Sequence, residues 1–159
     1  MNAADLQKFC DDGTERRFGI GRPWSRGGYS YATDGHIIVR LPRLEDVPES
    51  SDAPDAEKLF AEALVTQWLP VPGCRMPAPI PCRWCDGTGR DPADRRYKCY
   101  DCRGTKTVPD ELSALSIAGA NFACRFLALI QGWEIAPNGQ KAAWIRNGEA
   151  AGLLMPRRL

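Results

Sequence analysis

The chain has a single histidine, His36, so neither a histidine triad nor a histidine metal site has enough parts. The setting Thr33-Asp34-Gly35 makes His36 a turn residue. Long apolar runs are missing too. No window approaches the roughly 18 consecutive apolar residues of a membrane span, and no membrane partner is expected. The opening Met1-Asn2-Ala3-Ala4-Asp5 has neither the basic flank nor the apolar run of an export signal, so a cytoplasmic protein is expected. There is no charge excess: 21 basic against 20 acidic side chains give +1, which excludes the global basic field of a dedicated, tight nucleic-acid binder. Any such binding must be local. Gly19, Gly21, Gly27 and Gly28 around Trp24 are followed by no Gly-Lys-Ser/Thr, and no nucleophile elbow, HExxH or compact carboxylate motif occurs. A non-enzymatic protein is expected.

With 159 residues, 43% of them apolar and five tryptophans, the chain can bury a core as one ordinary domain or a small domain with an insertion. From Met1 to Leu44 the pattern predicts a helix (Asn2 cap, Leu6, Phe9 and Cys10 on one face, Gly13 stop), a strand at Phe18 and Ile20, and a hairpin. Tyr29 and Tyr31 lie on one arm, Ile37 to Leu41 on the other, and Asp34-Gly35 at the turn. From Glu45 to Pro109 an acidic Pro/Ser stretch leads into a predicted helix over 54–69, after which Pro70, Pro72, Pro77, Pro79 and Pro81 forbid regular structure. From Asp110 on, the pattern predicts a strand through Leu115 and Ile117, then a helix carrying Phe122, Phe126, Leu129 and Ile130 that stops at Gly132. A three-stranded meander turns at Asn138-Gly139 and Asn147-Gly148. The expected fold class is α+β: two helix-plus-strands halves, 1–44 and 110–159, forming one discontinuous domain, with 45–109 inserted between them.

Seven cysteines is an odd count, and four of them form two C-x2-C pairs, which suits metal ligation in a reducing compartment better than disulfides. Cys82-Arg83-Trp84-Cys85 and Cys99-Tyr100-Asp101-Cys102 are separated by residues 86–98. Each turn places two thiolates on one side of an ion, and the loop brings the second pair round to complete a tetrahedron. One structural Zn2+ per chain is expected on Cys82, Cys85, Cys99 and Cys102, and four thiolates leave no open position for catalysis. Cys74 is a candidate substitute ligand. Cys10 and Cys124 lie on apolar helical faces as small core residues.

The run from Cys82 to Gly89 resembles the C-x2-C-x-G-x-G repeat of the DnaJ-type zinc finger. A second copy, Cys99 to Lys106, keeps Gly104 but has Lys106 where the last glycine belongs. Two copies imply one zinc, and no His-Pro-Asp triplet accompanies them, so a co-chaperone role is not implied. The finger has two readings. It is a staple for a Pro-rich segment too small to fold alone, or it contacts nucleic acid. Between Arg75 and Lys106 stand eight basic residues against four acidic, with Trp84, Tyr97 and Tyr100 interleaved, which leaves the rest of the chain net negative by three. The candidate contacts are Arg95, Arg96, Lys98 and Arg103 for phosphates and Tyr97 or Tyr100 for stacking on a base.

The outer segments carry a second resemblance. Tyr31-Ala32-Thr33-Asp34-Gly35-His36 with Ile37-Ile38-Val39 is similar to a hairpin of the bacterial sliding clamp, and Leu154-Met155-Pro156-Arg157-Arg158-Leu159 is similar to the end of that clamp. The strand Leu115-Ser116-Ile117 and the run Asn121 to Ile130 resemble the strand and helix before it. The resemblance implies a clamp-like domain and a DNA-associated accessory protein of replication or phage type. A clamp has three such domains per chain and this chain supplies one, so a homo-oligomer is among the expected partners, with DNA. The alternative from another class is an adaptor whose finger docks a protein partner without touching DNA.

Overall fold

Asn2 opens the first helix, α1 (Ala3–Gln7), with a capping box: its side chain accepts the Asp5 N–H, and the Asp5 carboxylate accepts the Asn2 N–H. Leu6 and Phe9 then turn inward and are buried. The computed structural model describes residues 1–11, 20–61, 65, 67–110 and 112–157. The Gly13 stop and the Phe18 end of the expected strand lie outside the described residues, and Ile20 is buried but in no strand.

The framework is an antiparallel sheet. β1 (Trp24–Arg26), β2 (Tyr29–Thr33) and β3 (Ile37–Pro42) form a meander. The turn between β2 and β3 is locked by its own side chains. Asp34 Oδ1 accepts the His36 and Ile37 N–H groups at 2.8 and 3.0 Å, and Thr33 Oγ1 accepts the Gly35 N–H while donating to the Ile37 carbonyl. Two short pieces follow, β4 (Leu69–Pro70) and β5 (Ile80–Pro81), and later β6 (Thr107–Val108), which pairs with β5. β7 (Ala114–Ile117) and β8 (Ala120–Ala123) make a hairpin running directly into α2 (Cys124–Leu129). A second meander, β9 (Glu134–Asn138), β10 (Lys141–Asn147) and β11 (Ala150–Leu154), closes the chain. β11 pairs with β3, giving one seven-stranded sheet in the order β1-β2-β3-β11-β10-β9-β4. At that seam Gly152 is required, because a Cβ there would run into the Ile38 carbonyl and the Ile145 side chain.

One face of the sheet is covered by α1, α2 and the β7–β8 hairpin over a core of Leu6, Val39, Phe122, Leu127, Ile135 and Ile145. The other face packs Trp24, Tyr31 and Ile38 against Ala53, Ala56 and Phe60. The expected α+β fold of two helix-plus-strands halves is therefore corrected. Among the described residues the α-helices have five and six residues, and sheet dominates. Two physical reasons stand out. Phe122, expected on a helix, lies in β8, because Ala118 and Gly119 both take left-handed backbone (φ 49° and 82°) and turn the chain back on itself. Among the described residues of the expected helix over 54–69 the helical element is a 3-10 turn, Glu57–Phe60, and Leu69 is extended against Ile135. Packing of Ala56 and Phe60 on the sheet outweighs helix propensity there. Leu64 and Ala63 of that expected helix lie outside the described residues. No described helix is long and apolar enough to cross a membrane.

Candidate metal centre

The two C-x2-C turns are brought together, and Cys82, Cys85, Cys99 and Cys102 form a core of their own, 4% exposed or less. Their sulfurs all lie within 4.8 Å of one another, with Cys82–Cys99 at 3.9 Å and Cys85–Cys102 at 3.7 Å. Four thiolates about 2.3 Å from a tetrahedral ion sit about 3.8 Å apart, so the set fits a zinc-sized ion. Cys74, Cys10 and Cys124 are not in the cluster. Burial pushes the Cys10 and Cys74 thiols up to about 11.

The two motif copies share their backbone shape and their threonine bonds. Asp86 and Arg103 follow the last cysteine of each turn with φ of 49° and 53°, and Gly87 and Gly104 come next at 72° and 88°. The Thr88 and Thr105 N–H groups and hydroxyls donate back to the Cys85 and Cys102 carbonyls. Gly89 and Lys106 close the copies at 75° and 72°. Lys106 therefore adopts the backbone for which the first copy uses glycine. The copies are then tied reciprocally: Cys82 N–H donates to the Lys106 carbonyl at 2.9 Å, and Cys99 N–H to the Gly89 carbonyl at 3.0 Å. Lysine stems lie over two of the glycines, Lys106 over Gly89 and Lys98 over Gly104.

The protons of the cluster are unevenly held. Burial opposes ionisation of Cys85, but the Gly89 N–H, 3.2 Å from its sulfur, and the neighbouring thiols pull it down to about 6. Burial, with the Asp101 carboxylate beside it, pushes Cys82 up to about 12, and burial also raises Cys99. Of these three, Cys85 gives up its proton most readily, and a bound cation would take the place of the protons on Cys82 and Cys99.

β5 and β6 close the base of this unit, and Val108 is the hydrophobic side chain packed against the four cysteines. At the tip, Arg90 and Lys98 form an isolated bridge around the turn 91–97. Asp94 pairs with Arg96 at 2.7 Å, and that guanidinium holds its carboxyl below the ordinary range. Arg95, Arg96, Lys98, Arg103, Tyr97 and Tyr100 are all exposed on this unit, Tyr97 at 65% and Tyr100 at 89%. Trp84, not singled out from the sequence as a binding residue, is 64% exposed and shares a cleft with Tyr100, Asp91 and Asp101. A tryptophan between two ligand cysteines has no room to be a core residue, and that spacing is the signal the sequence carries for it. His36 lies on the sheet body at its turn, its ring against Phe126. Comparison of the chain with protein-family models, curated proteins and solved structures finds no match.

Proposed function

We propose that this is a non-enzymatic, zinc-containing, DNA-associated accessory protein that engages unpaired DNA through its finger, residues 80–108. Zinc, when bound, supplies a cross-link between the two C-x2-C turns in place of a hydrophobic core; four thiolates leave it no catalytic role. The chain's own residues do the rest. The reciprocal amide ties hold both turns to the ion, and the tip presents charge and rings to solvent.

One observation carries the reading. All eight basic side chains from Arg75 to Lys106 are exposed together with Trp84, Tyr97 and Tyr100, while the rest of the chain is net negative by three. Exposed rings among cations are the chemistry of single-strand binding: phosphates are attracted locally, and bases stack on aromatic faces at about 1–3 kcal/mol each. Arg96 is held by Asp94, so Arg95, Lys98 and Arg103 are the freer cations.

Filter binding of the zinc-loaded chain to single- and double-stranded DNA across a salt series tests it. Affinity should fall steeply with salt and favour the single strand. Arg95→Ala with Lys98→Ala should flatten the log–log slope by up to about two units, one for each phosphate no longer neutralised. Lys8→Ala with Lys141→Ala, on the sheet body, should leave it unchanged. Absence of DNA binding at low salt would favour the adaptor that docks a protein.

A further inference from the structure

The cleft between the two C-x2-C turns has a composition that phosphate attraction does not explain. It is lined by two exposed rings, Trp84 and Tyr100, one from each turn, and by two carboxylates, Asp91 and Asp101. In a finger with a net excess of three positive charges over residues 80–108, this cleft brings acid and aromatic surface together. Neither ring packs on another aromatic among the described residues, and both are largely exposed.

Asp91 is held in one orientation. Its Oδ1 accepts the Ala93 N–H at 2.8 Å and the Asp94 N–H at 3.4 Å, and Oδ2 has no donor among the described residues. A fixed carboxylate beside aromatic faces recognises a flat group with paired N–H donors on one edge. Two chemistries satisfy that: a guanidinium, and the Watson–Crick edge of guanine, with its N1–H and N2 amine. Surrounding charge decides between them. A basic peptide must approach against the finger's positive excess, whereas a guanine arrives attached to a phosphate that the same excess attracts. Asp101 is the less suited carboxylate, since its Oδ2 lies against the Cys82 sulfur at 3.2 Å.

We infer that the Trp84–Tyr100 cleft is a guanine subsite, in which an unpaired guanine stacks on the rings and donates its N1–H and N2 amine to Asp91 Oδ2, the oxygen that the backbone N–H groups leave open. This rests on the single-strand DNA reading above and adds a base preference to it. Adenine and cytosine offer the carboxylate a single amino group beside an acceptor, and thymine a single N–H between two carbonyls, so each pairs less well.

The test uses the zinc-loaded full chain and short labelled dT strands bearing one central dG, dA, dC or deoxyinosine, read by fluorescence anisotropy at fixed salt. One dG should tighten binding about tenfold over dT, the size of a bidentate base contact. Deoxyinosine, which lacks the N2 amine, should lose most of that gain. Asp91→Asn should abolish the dG preference, read as the ratio of dG-strand to dT-strand affinity, and keep one zinc per chain. Trp84→Ala should weaken every strand. Equal binding of all strands with an ordinary salt slope would overturn the subsite and leave the single-strand reading standing. No binding of any strand at low salt would remove both. An arginine-rich peptide that bound in an Asp91-dependent way, with no dG preference in DNA, would assign the cleft to a cationic side chain and overturn the inference.

Discussion

Gly89 and Lys106 occupy equivalent places in the two motif copies, yet the structure predicts opposite responses when their residue types are exchanged. A Cβ at Gly89 would lie 2.9 Å from the Gly104 carbonyl oxygen and 3.1 Å from Lys106 Cγ, and Gly89 sits at φ +75°. Left-handed backbone costs a side-chain-bearing residue about 1–2 kcal/mol, and pressing a carbon into a fixed backbone oxygen about 1–3 kcal/mol more. Gly89→Ala should therefore cost the folded finger about 2–5 kcal/mol, which appears as zinc affinity weakened at least about 30-fold. Lys106→Gly removes left-handed strain of about 1–2 kcal/mol and restores about 0.5–1 kcal/mol of unfolded-chain freedom, so affinity should stay level or tighten by up to about tenfold. Competition of the full-length chain with a chromophoric chelator at fixed pH measures both. Gly89→Ala within about threefold of the parent, or Lys106→Gly as damaging as Gly89→Ala, would refute the equivalence of the two turns.

Elemental analysis should give one zinc per chain, and Cys99→Ser should lose it; a value near two would sink the ligand assignment. Chelation should unfold residues 80–108 while the seven-stranded sheet keeps its cooperative melting, which amide hydrogen exchange would resolve, since the finger's core is the cysteine cluster alone. Gly152→Ala should destabilise the sheet by about 1–3 kcal/mol, lowering Tm by several degrees without changing zinc content, because the added carbon meets the Ile38 backbone. Asp110 has its pKa lowered by the Ser113 hydroxyl and the Leu112 N–H, so its contribution is present above the unfolded value of about 4 and is lost as pH falls through the lower folded value. Asp110→Asn should lower stability at neutral pH and flatten the acid limb of the stability curve, as urea melts at several pH values would show.

The parts of the fold legible in the sequence are those governed by a few adjacent residues. Asp34-Gly35 turns β2 into β3, and Asn138-Gly139 and Asn147-Gly148 turn the second meander, with Gly139 and Gly148 at φ 56° and 58°. The cysteine cluster was legible for the same reason, since two C-x2-C pairs define their own geometry. What was not legible depended on distant partners. Phe122 has helical spacing with Phe126 and Leu129, but it pairs with Leu115 because Ala118, without any of the usual turn chemistry, adopts φ 49°. The stretch after Pro54 has an apolar helical pattern, yet Ala56 and Phe60 find the sheet's second face and Leu69 finds Ile135. On the finger, charge counting identified the cations but not the Asp94 carboxylate that holds Arg96, nor the cleft that joins Trp84 to Tyr100 across a gap of fifteen intervening residues.

The reciprocal ties between Cys82 and Lys106 and between Cys99 and Gly89 also bear on how such a module can evolve. Each copy satisfies the other's amides, so the metal-holding unit is closed on itself and asks nothing of residues 91–97 beyond spanning the gap that the Arg90–Lys98 bridge marks. The tip is then a cassette. Substitutions, insertions or deletions within it can change which rings and charges face a partner without passing through an unfolded, metal-free intermediate. A change that alters the backbone shape of either copy disturbs the other through these ties. Relatives of this chain would therefore be expected to vary in tip length and tip chemistry while both copies stay fixed in length and backbone shape.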